Sequence, residues 1–288
     1  MQNTRIMLNF ISFGSGSSGN CYYFYSEADS LMVDIGVGLR TLKKHFGNYG
    51  LRMRDIQNVI VTHDHADHIK SAGSISKDLN IPVYATALTH KGIERNYCVR
   101  TKVPEANKRV IEPGKTFGAG PFEITPFHVP HDSFDCVGYH IVYHGIHIVL
   151  ATDVGTVTDE MRRAIGQAHY LIIEANHDVD MLKNGPYSAY LKQRVAGPTG
   201  HMSNATCGQV VAECATDRLR HIWLCHLSEE NNHPELARIT VEQALTEKGI
   251  MVGEDLQLDV LKRKVPTGAF ELKAVSGQDA DNILSCIG

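Results

Sequence analysis

The chain lacks several features that would point to particular classes of protein. Its 288 residues carry 28 Lys and Arg against 32 Asp and Glu, a formal charge of −4, so it has no general positive charge for nucleic acid. No apolar run approaches the roughly 20 residues of a transmembrane helix, and the first residues do not resemble a secretory signal peptide. We therefore expect no membrane span. Any contact with nucleic acid would depend on a local basic patch or on bound metal ions.

The seven cysteines form no recognisable disulfide or metal-binding pattern. Their number is odd, and no CxxC spacing occurs among them. Because disulfide frameworks belong to oxidising compartments, we expect reduced thiols and a cytoplasmic protein. The chain also has no repeat, linker or low-complexity segment. This predicts one domain over residues 1–274, followed by a C-terminal tail over 275–288.

Histidine, by contrast, is abundant, with 16 in the chain. The apolar run at 59–61 predicts a buried strand, and the sequence THDHADH follows it before a segment with helical spacing. His63 and His65 can point the same way from an extended turn, while Asp67 and His68 reach a second point nearby. A single histidine is usually a surface or core residue, but this set of nitrogen and oxygen donors suits Zn, Mn or Fe. The turn is therefore predicted to bind metal.

Acidic residues stand at the ends of three other predicted strands. Asp34 ends the run LMVD, Asp153 follows LAT, and Glu174 ends LIIE. Such an acid often caps the next helix. A buried carboxylate nevertheless needs a partner, and the N–H of a metal-bound imidazole is a suitable one. Together with the histidine turn, these acids predict one edge at which strand ends converge.

Further histidines follow in the second half of the chain. His128 and His131 lie close together, and the residues alone leave open which of them binds metal. The alternating run at 137–149 predicts a hairpin, on which His140, His144 and His147 fit exposed positions. We assign no function to these three.

The Gly/Ser loop at 14–20 lies between two predicted strands. It is either a flexible connection or a loop whose amides and hydroxyls approach an anion, with Ser17 and Ser18 at its centre. It is not a nucleotide-binding phosphate loop, because no Gly-Lys-Ser/Thr sequence follows it.

The segment at 179–200 combines basic and aromatic residues. These are Lys183, Lys192, Arg194, Tyr187 and Tyr190. The segment is either a solvated helix face or a contact strip for a nucleic-acid strand. Just beyond it, Ser203 is expected to cap a helix, and His201 lies at the start of that helix.

The order of these motifs resembles that of the metallo-β-lactamase fold superfamily. In chain order they are Asp34, the turn at 63–68, His131, Asp153, His201 and His226. The resemblance implies an α+β fold, a four-layer αβ/βα sandwich with the metal site at one edge of two mixed sheets. It also favours His131 over His128, because His131 stands seven residues before the Gly that opens the next strand.

The resemblance further implies ligands for two divalent metal ions, Zn or Mn. The implied ligands are His63, His65 and His131 for one ion, Asp67, His68 and His226 for the other, and Asp153 as a bridge. Asp34 would not bind metal itself and would accept a hydrogen bond from the N–H of a metal-bound imidazole. A hydroxide between the ions would be the nucleophile, and Asp67 would also orient it.

Two residues narrow the reaction that the resemblance implies. An aspartate rather than a cysteine at position 153 favours the phosphodiesterase and thioester-hydrolase branches. His201 lies where relatives that process nucleic acids have a proton donor to the leaving oxygen. Glu174 is placed like the acid that orients this donor, so both are assigned catalytic roles.

The strings IEANHD and HLSEENN resemble YycJ/WalJ-type hydrolases, a branch described as 5′-to-3′ DNA exonucleases. This implies a DNA substrate, with RNA as the other polymer, and substrate contacts at Ser17, Ser18 and Asn231. Gly200 lies only 47 positions after Asp153, too few for an inserted β-CASP domain. The alternative is a small-molecule hydrolase for a thioester or cyclic phosphodiester, which the acidic net charge supports. A regulatory protein with a structural metal is disfavoured, because all seven ligands are present.

Overall fold

The computed structural model describes residues 7–274, and its framework is a pair of mixed β-sheets. The strands of this range are β1 (Leu8–Gly14), β2 (Cys21–Tyr25), β3 (Ser30–Val33), β4 (Asn58–Ile60), β5 (Val83–Thr86), β6 (Lys108–Ile111), β7 (Phe117–Ala119), β8 (Phe122–His128), β9 (Val137–Tyr143), β10 (Ile146–Ala151), β11 (Tyr170–Glu174), β12 (His221–Cys225), β13 (Gln257–Val260) and β14 (Thr267–Leu272). The first sheet has the order β14-β1-β2-β3-β4-β5-β6, and the second has the order β13-β12-β11-β10-β9-β8-β7.

Helices cover the outer face of each sheet. They are α1 (Leu39–Asn48), α2 (Ala66–Ile69), α3 (Ala72–Leu79), α4 (Ala87–Arg95), α5 (Asp159–Ile165), α6 (Val179–Asn184), α7 (Ala189–Val195), α8 (Asn204–Cys214) and α9 (Pro234–Thr246). Apolar residues of α1, α3 and α4 pack on the first sheet, and those of α5, α8 and α9 pack on the second. None of the helices described between residues 7 and 274 has the length and apolarity needed to cross a bilayer.

The inner faces of the two sheets meet in a third apolar core. Alternation along the strands of the second sheet sends Tyr139 and Ile141 of β9, Ile148 of β10 and Trp223 of β12 into this core, opposite Phe10 of β1 in the first sheet. All five side chains are fully buried. The order of layers is therefore helix, sheet, sheet, helix, which confirms the predicted four-layer sandwich.

Local predictions held at the helix starts. The Ser203 hydroxyl accepts a hydrogen bond from the amide of Thr206 at 3.1 Å, as expected of an N-cap. The sequence also predicts Pro234 in the first turn of a helix, and it occupies that turn of α9, where the missing N–H costs no hydrogen bond.

Two other local predictions need correction. The sequence at 257–273 predicts a closing strand or hairpin, but β13 pairs with β12 in the second sheet and β14 pairs with β1 in the first. The chain crosses between the sheets at 261–266, so no hairpin forms. His144 is exposed at its turn, whereas His140 and His147 are half-buried because the Nε2 of His140 and the Nδ1 of His147 share a hydrogen bond of 3.0 Å. The predicted tail at 275–288 lies outside the described residues.

Candidate metal centre

The candidate residues come from the carboxyl ends of parallel strands in both sheets. β3 and β4 are parallel neighbours in the first sheet, and β10, β11 and β12 are parallel neighbours in the second. Neighbouring parallel strands end at the same edge, so Asp34 and the turn that starts at His63 lie together. Asp153, Glu174 and His226 likewise lie at one edge of the second sheet.

Three of these strand ends have a left-handed backbone. The φ angles are 58° at Asp34, 57° at Asp153 and 54° at His226. Residues with a side chain seldom adopt this region, and such strain concentrates at functional sites. Here the sharp bend ends β3, β10 and β12 and directs a polar side chain to the common edge.

The first predicted ligand group is His63, His65 and His131. Each of the three offers a ring nitrogen, and these atoms lie within 4.8 Å of one another. The Nδ1 of His131 bonds the carbonyl of Gly200 at 2.9 Å, which leaves Nε2 for the centre. His128 is exposed at the end of β8 and is not part of this group.

The second predicted group is Asp67, His68 and His226, whose donor atoms also lie within 4.8 Å of one another. Asp153 lies between the groups. Its Oδ2 is 3.2 Å from the Nε2 of His68, and its Oδ1 is 3.6 Å from the Nε2 of His131. All seven predicted ligands therefore lie in two adjoining clusters, and Asp153 touches both.

Asp34 fixes the orientation of His68. Its Oδ2 accepts hydrogen bonds from the Nδ1 of His68 and from the hydroxyl of Thr62, and its Oδ1 accepts one from the amide of Thr62, each at 2.8 Å. Both side chains are fully buried. With Nδ1 occupied, the Nε2 of His68 is the atom that faces Asp153.

Glu174, at the end of β11 in the second sheet, accepts hydrogen bonds from several groups of the site. Its Oε2 accepts hydrogen bonds from the amides of Val154 and Met202 at 2.7 and 2.9 Å. Its Oε1 lies 2.8 Å from the Nδ1 of His201 and 3.0 Å from the Nδ1 of His226. Burial alone would raise the pKa of Glu174, but His201 and the hydrogen bonds it receives lower that pKa to about 2. The sequence predicted the pairing with His201; the pairing with His226 was missed.

The electrostatics of the cluster favour positive charge. Burial lowers the pKa of His226, but Asp153, Asp67 and Glu174 outweigh it and raise that pKa to about 10. The pKa of His68 is also raised, because nearby carboxylates outweigh its burial. The carboxylates that raise these pKa values would also attract a divalent cation, which would displace the imidazole protons.

Unsatisfied nitrogen atoms test whether a metal fits. The Nε2 atoms of His63 and His226 are buried and have no hydrogen-bond partner among residues 7–274. Such orphan atoms are costly and call for an explanation. Each belongs to a set of neutral-nitrogen and carboxylate donors of the kind that binds Zn or Mn, so the residues present fit metal ions.

Sequence reasoning missed Asn20 and Asp132. The Nδ2 of Asn20 lies 2.9 Å from the Nε2 of His68 and 3.3 Å from an oxygen of Asp67. Asp132 bonds Arg194 at 2.6 Å, and its other oxygen is 3.4 Å from the Nε2 of His131. The position of Asn20 in the Gly/Ser loop and of Asp132 directly after His131 were the available signals.

The three predicted substrate contacts lie in different surroundings. Ser17 and Ser18 are exposed in the loop between β1 and β2. Asn231 is 1% exposed, and its backbone carbonyl accepts a hydrogen bond from the amide of Asp178. Asn231 is therefore buried, and its role in substrate contact stays a prediction.

Two cavities are lined by residues of the centre or by their chain neighbours. The first, which we name the α4 cavity, measures about 310 Å³ and is lined by Asp64, Leu88, Lys91, Gly92, Arg95, Asn96, Tyr97 and Phe134. The second, the His201 cavity, measures about 360 Å³ and includes His201, His177, Lys183 and Lys192. Of the predicted basic strip, Lys183 and Lys192 thus lie beside His201, whereas Arg194 is paired with Asp132.

Comparison with known sequences gives a consistent result. The beta-lactamase superfamily domain matches residues 29–226. The protein named Exodeoxyribonuclease YycJ of Bacillus anthracis is 35% identical over 260 residues, which cover 90% of this chain and 97% of that protein. The protein named Exodeoxyribonuclease WalJ of Streptococcus pneumoniae is 32% identical over 255 residues, which cover 88% and 94%.

Solved structures show the same fold. The metallo-beta-lactamase fold protein YhfI of Bacillus subtilis has a TM-score of 0.66 at 21% identity, covering 92% of this chain and 100% of its own. Zn-bound PqqB of Methylobacterium extorquens has a TM-score of 0.65 at 15% identity, covering 90% and 99%. At these identities the likeness concerns the fold alone.

Proposed function

The chain belongs to the beta-lactamase superfamily and is a hydrolase of the metallo-β-lactamase fold, and on that premise we propose that it is a metal-dependent exonuclease that degrades DNA. Two relatives at 35% and 32% identity, each matched over more than nine-tenths of its length, carry the name exodeoxyribonuclease. We also propose that residues 1–274 act as one catalytic domain.

The single observation that carries the proposal is the arrangement of His201 beside the two ligand groups. The Nδ1 of His201 lies 2.8 Å from Glu174 and 3.8 Å from Asp153. Its side chain is 21% exposed, whereas Glu174 is fully buried. A histidine that is held by a buried acid and reached by solvent is placed to act on a substrate rather than to stabilise the core.

We propose that one ion is held by His63, His65 and His131, and that Asp67, His68 and His226 hold a second, with Asp153 between them. When bound, the ions supply positive charge for phosphate oxygens and make a water molecule acidic enough to attack at neutral pH.

The chain's own residues then position and protonate the reacting groups. The Nδ1 of His201 donates to Glu174, so Nε2 is the atom that gives its proton to the leaving oxygen as the P–O bond breaks. Asp67 is held by Asn20 and is 22% exposed, so it can orient the attacking water. Lys183 and Lys192 in the His201 cavity provide charge for the phosphates of the leaving part of the strand.

A nuclease assay tests this proposal. Purified protein with Mn or Zn is given 5′- or 3′-labelled single- and double-stranded DNA and RNA, beside an Asp153→Ala control. We expect stepwise shortening of DNA from the 5′ end that is absent in the control. Shortening from the 3′ end would overturn the proposed direction, and degradation of RNA alone would overturn the proposed substrate.

A small-molecule phosphodiesterase is the second candidate. The formal charge of −4 and a His201 cavity of about 360 Å³ favour a compact substrate over a long polyanion. Turnover of bis-p-nitrophenyl phosphate without cleavage of any polymer would select this candidate and reject the exonuclease.

A further inference from the structure

The α4 cavity has two features that its position beside a metal centre does not require. Its rim carries Tyr97 and Phe134, which are 91% and 66% exposed. Its wall is one face of α4, where Leu88, Lys91 and Arg95 follow helical spacing. The cavity therefore combines two accessible aromatic rings with two cations.

The two cations have no partner that would explain their position. Lys91 and Arg95 are exposed, and neither forms a hydrogen bond or ion pair with another side chain in the part of the chain that the structure describes. The acid between them on α4, Glu94, does not line the cavity and lies 3.5 Å from Lys108. The positive charge of the wall is therefore available to an anion.

The carboxylate of Asp64, which lines the cavity, already accepts a hydrogen bond and contacts α4. The Ser133 hydroxyl donates to the Oδ1 of Asp64. The Cβ of any residue larger than glycine at position 92 would lie 1.9 Å from the Oδ2 of Asp64, so α4 rests directly on this carboxylate. Asp64 thus docks the helix, and its one negative charge is outnumbered in the cavity lining by the two positive charges of Lys91 and Arg95.

The contacts of Asp64 also fix the position of the α4 cavity relative to the metal centre. Asp64 lies between His63 and His65 in the chain, and its carbonyl accepts a hydrogen bond from the Nδ2 of Asn96 at 3.1 Å. Phe134 follows Ser133, which is bonded to Asp64. A ligand that fills the cavity is therefore held at a fixed distance from two predicted ligands.

We propose that the α4 cavity binds an unpaired nucleotide of the nucleic-acid strand, next to the phosphodiester at the metal centre. Phe134 and Tyr97 stack on its base, and Lys91 and Arg95 pair with its phosphates. This inference rests on the proposed nuclease function. It specifies a single-stranded region at the active site, because a base within a duplex cannot expose its face to these rings.

A binding measurement tests the proposal directly. His201→Ala protein loaded with Mn²⁺ is used so that the strand is not consumed, and the Kd for a fluorescein-labelled 20-residue oligothymidylate is measured by anisotropy. Adding Tyr97→Ala or Phe134→Ala is expected to raise the Kd about 10-fold each, as loss of one stacked base predicts. Phe134→Trp should restore tight binding, because it returns an aromatic face.

Two further readouts separate stacking and charge from general damage. A 2-aminopurine placed in the strand should be quenched on binding, and Phe134→Leu should reduce the quench although it keeps an apolar side chain, because only the ring of Tyr97 is then left to stack. Lys91→Ala should reduce the slope of log Kd against log salt by about 1. Lys248→Ala, an exposed lysine that follows α9 on the opposite outer layer, should leave the slope unchanged.

The outcomes distinguish this inference from the proposed function. If the parent protein cuts DNA but the Tyr97→Ala/Phe134→Ala double variant binds the strand as tightly as its background, the cavity does not hold the strand and the inference is overturned alone. If the parent protein cuts no polymer, the proposed function and this inference fall together. Equal affinity for single- and double-stranded DNA in the His201→Ala background would also overturn it.

Discussion

Two clusters of histidines of similar spacing lie in this molecule in opposite surroundings. The edge cluster consists of His63, His65, His68, His131, His201 and His226. The sheet cluster consists of His140, His147 and His169. Neighbouring ring centroids are 4.9 to 5.2 Å apart in the sheet cluster and 4.1 Å apart for the tightest pair of the edge cluster. Proximity of imidazoles therefore does not distinguish them.

The charges around the two clusters do distinguish them. Asp34, Asp67, Asp153 and Glu174 line the edge cluster. The charged groups that act on the sheet cluster are Arg218 and Arg220. Burial first, and then the neighbours His147, Arg218 and Arg220, lower the pKa of His169 to about 4, whereas the pKa of His226 is raised to about 10. Nearby acids turn a group of histidines into a cation site, and burial without such acids keeps a group of histidines neutral.

Removing the central acid should have the largest effect. Asp153→Ala takes away the carboxylate that contacts both ligand groups, so metal content should fall and activity should drop by about 10⁴-fold. Metal per chain is measured by elemental analysis beside phosphodiester turnover. Asp217→Ala, at an exposed position, is the control. Full metal content in Asp153→Ala would show that this acid does not define the edge cluster.

His201→Ala should separate chemistry from metal binding within the same cluster. Turnover is expected to fall about 10³-fold, within the range for loss of a general acid, with metal content unchanged. His144→Ala, at the exposed turn between β9 and β10, should retain full turnover. If His201→Ala instead strips a metal, His201 is a ligand and its assigned role is wrong.

Asp34→Asn should weaken metal binding by the edge cluster, because Asp34 holds the orientation of His68. The amide keeps the shape and tolerates the left-handed backbone, but it no longer accepts strongly from the Nδ1 of His68. Metal affinity should fall about 10- to 100-fold in competition with a chelator. Asp259→Asn removes a similar contact, since the exposed Asp259 lies 2.8 Å from the Nε2 of His221, and should leave metal affinity unchanged. Equal affinity in both variants would contradict the support assigned to Asp34.

Changes to the sheet cluster should have the smallest effect, and they should alter the free energy of unfolding alone. Burial lowers the pKa of both His140 and His169 to about 4, below the ordinary value near 6.5. Between these values the unfolded chain binds more protons, so the free energy of unfolding should fall as pH drops from 7 to 5. We expect a loss of about 1 kcal/mol per histidine, discounted because His140 is only half-buried.

Urea unfolding of the metal-loaded protein at pH 7 and pH 5 measures this pH dependence of the free energy of unfolding. His140→Gln/His169→Gln should flatten the pH dependence while metal content stays that of the parent. An unchanged pH dependence would show that these two histidines do not carry it. A loss of metal in the double variant would show that the sheet cluster, like the edge cluster, contributes to metal binding.

Much of the fold could be predicted because its signals are local or ordered along the chain. The apolar run before His63 predicted a strand, and the order of the later motifs carried the resemblance that implied the four-layer sandwich, which the structure confirms. The crossing at 261–266 could not be predicted, because two short strands look alike whether they pair with each other or with separate sheets. Only the free edges of β1 and β12 decide that pairing.

The site shows the same division. The sequence by itself determined which donors stand together, since the spacing from His63 to His68 and the acids at strand ends are fixed by the chain. The tertiary structure decided that His131 rather than His128 faces the centre, that Glu174 holds both His201 and His226, and that α4 rests on Asp64. The physical reason is that these contacts join residues far apart in the chain. They form only where the packed sheets bring their strand ends to one edge.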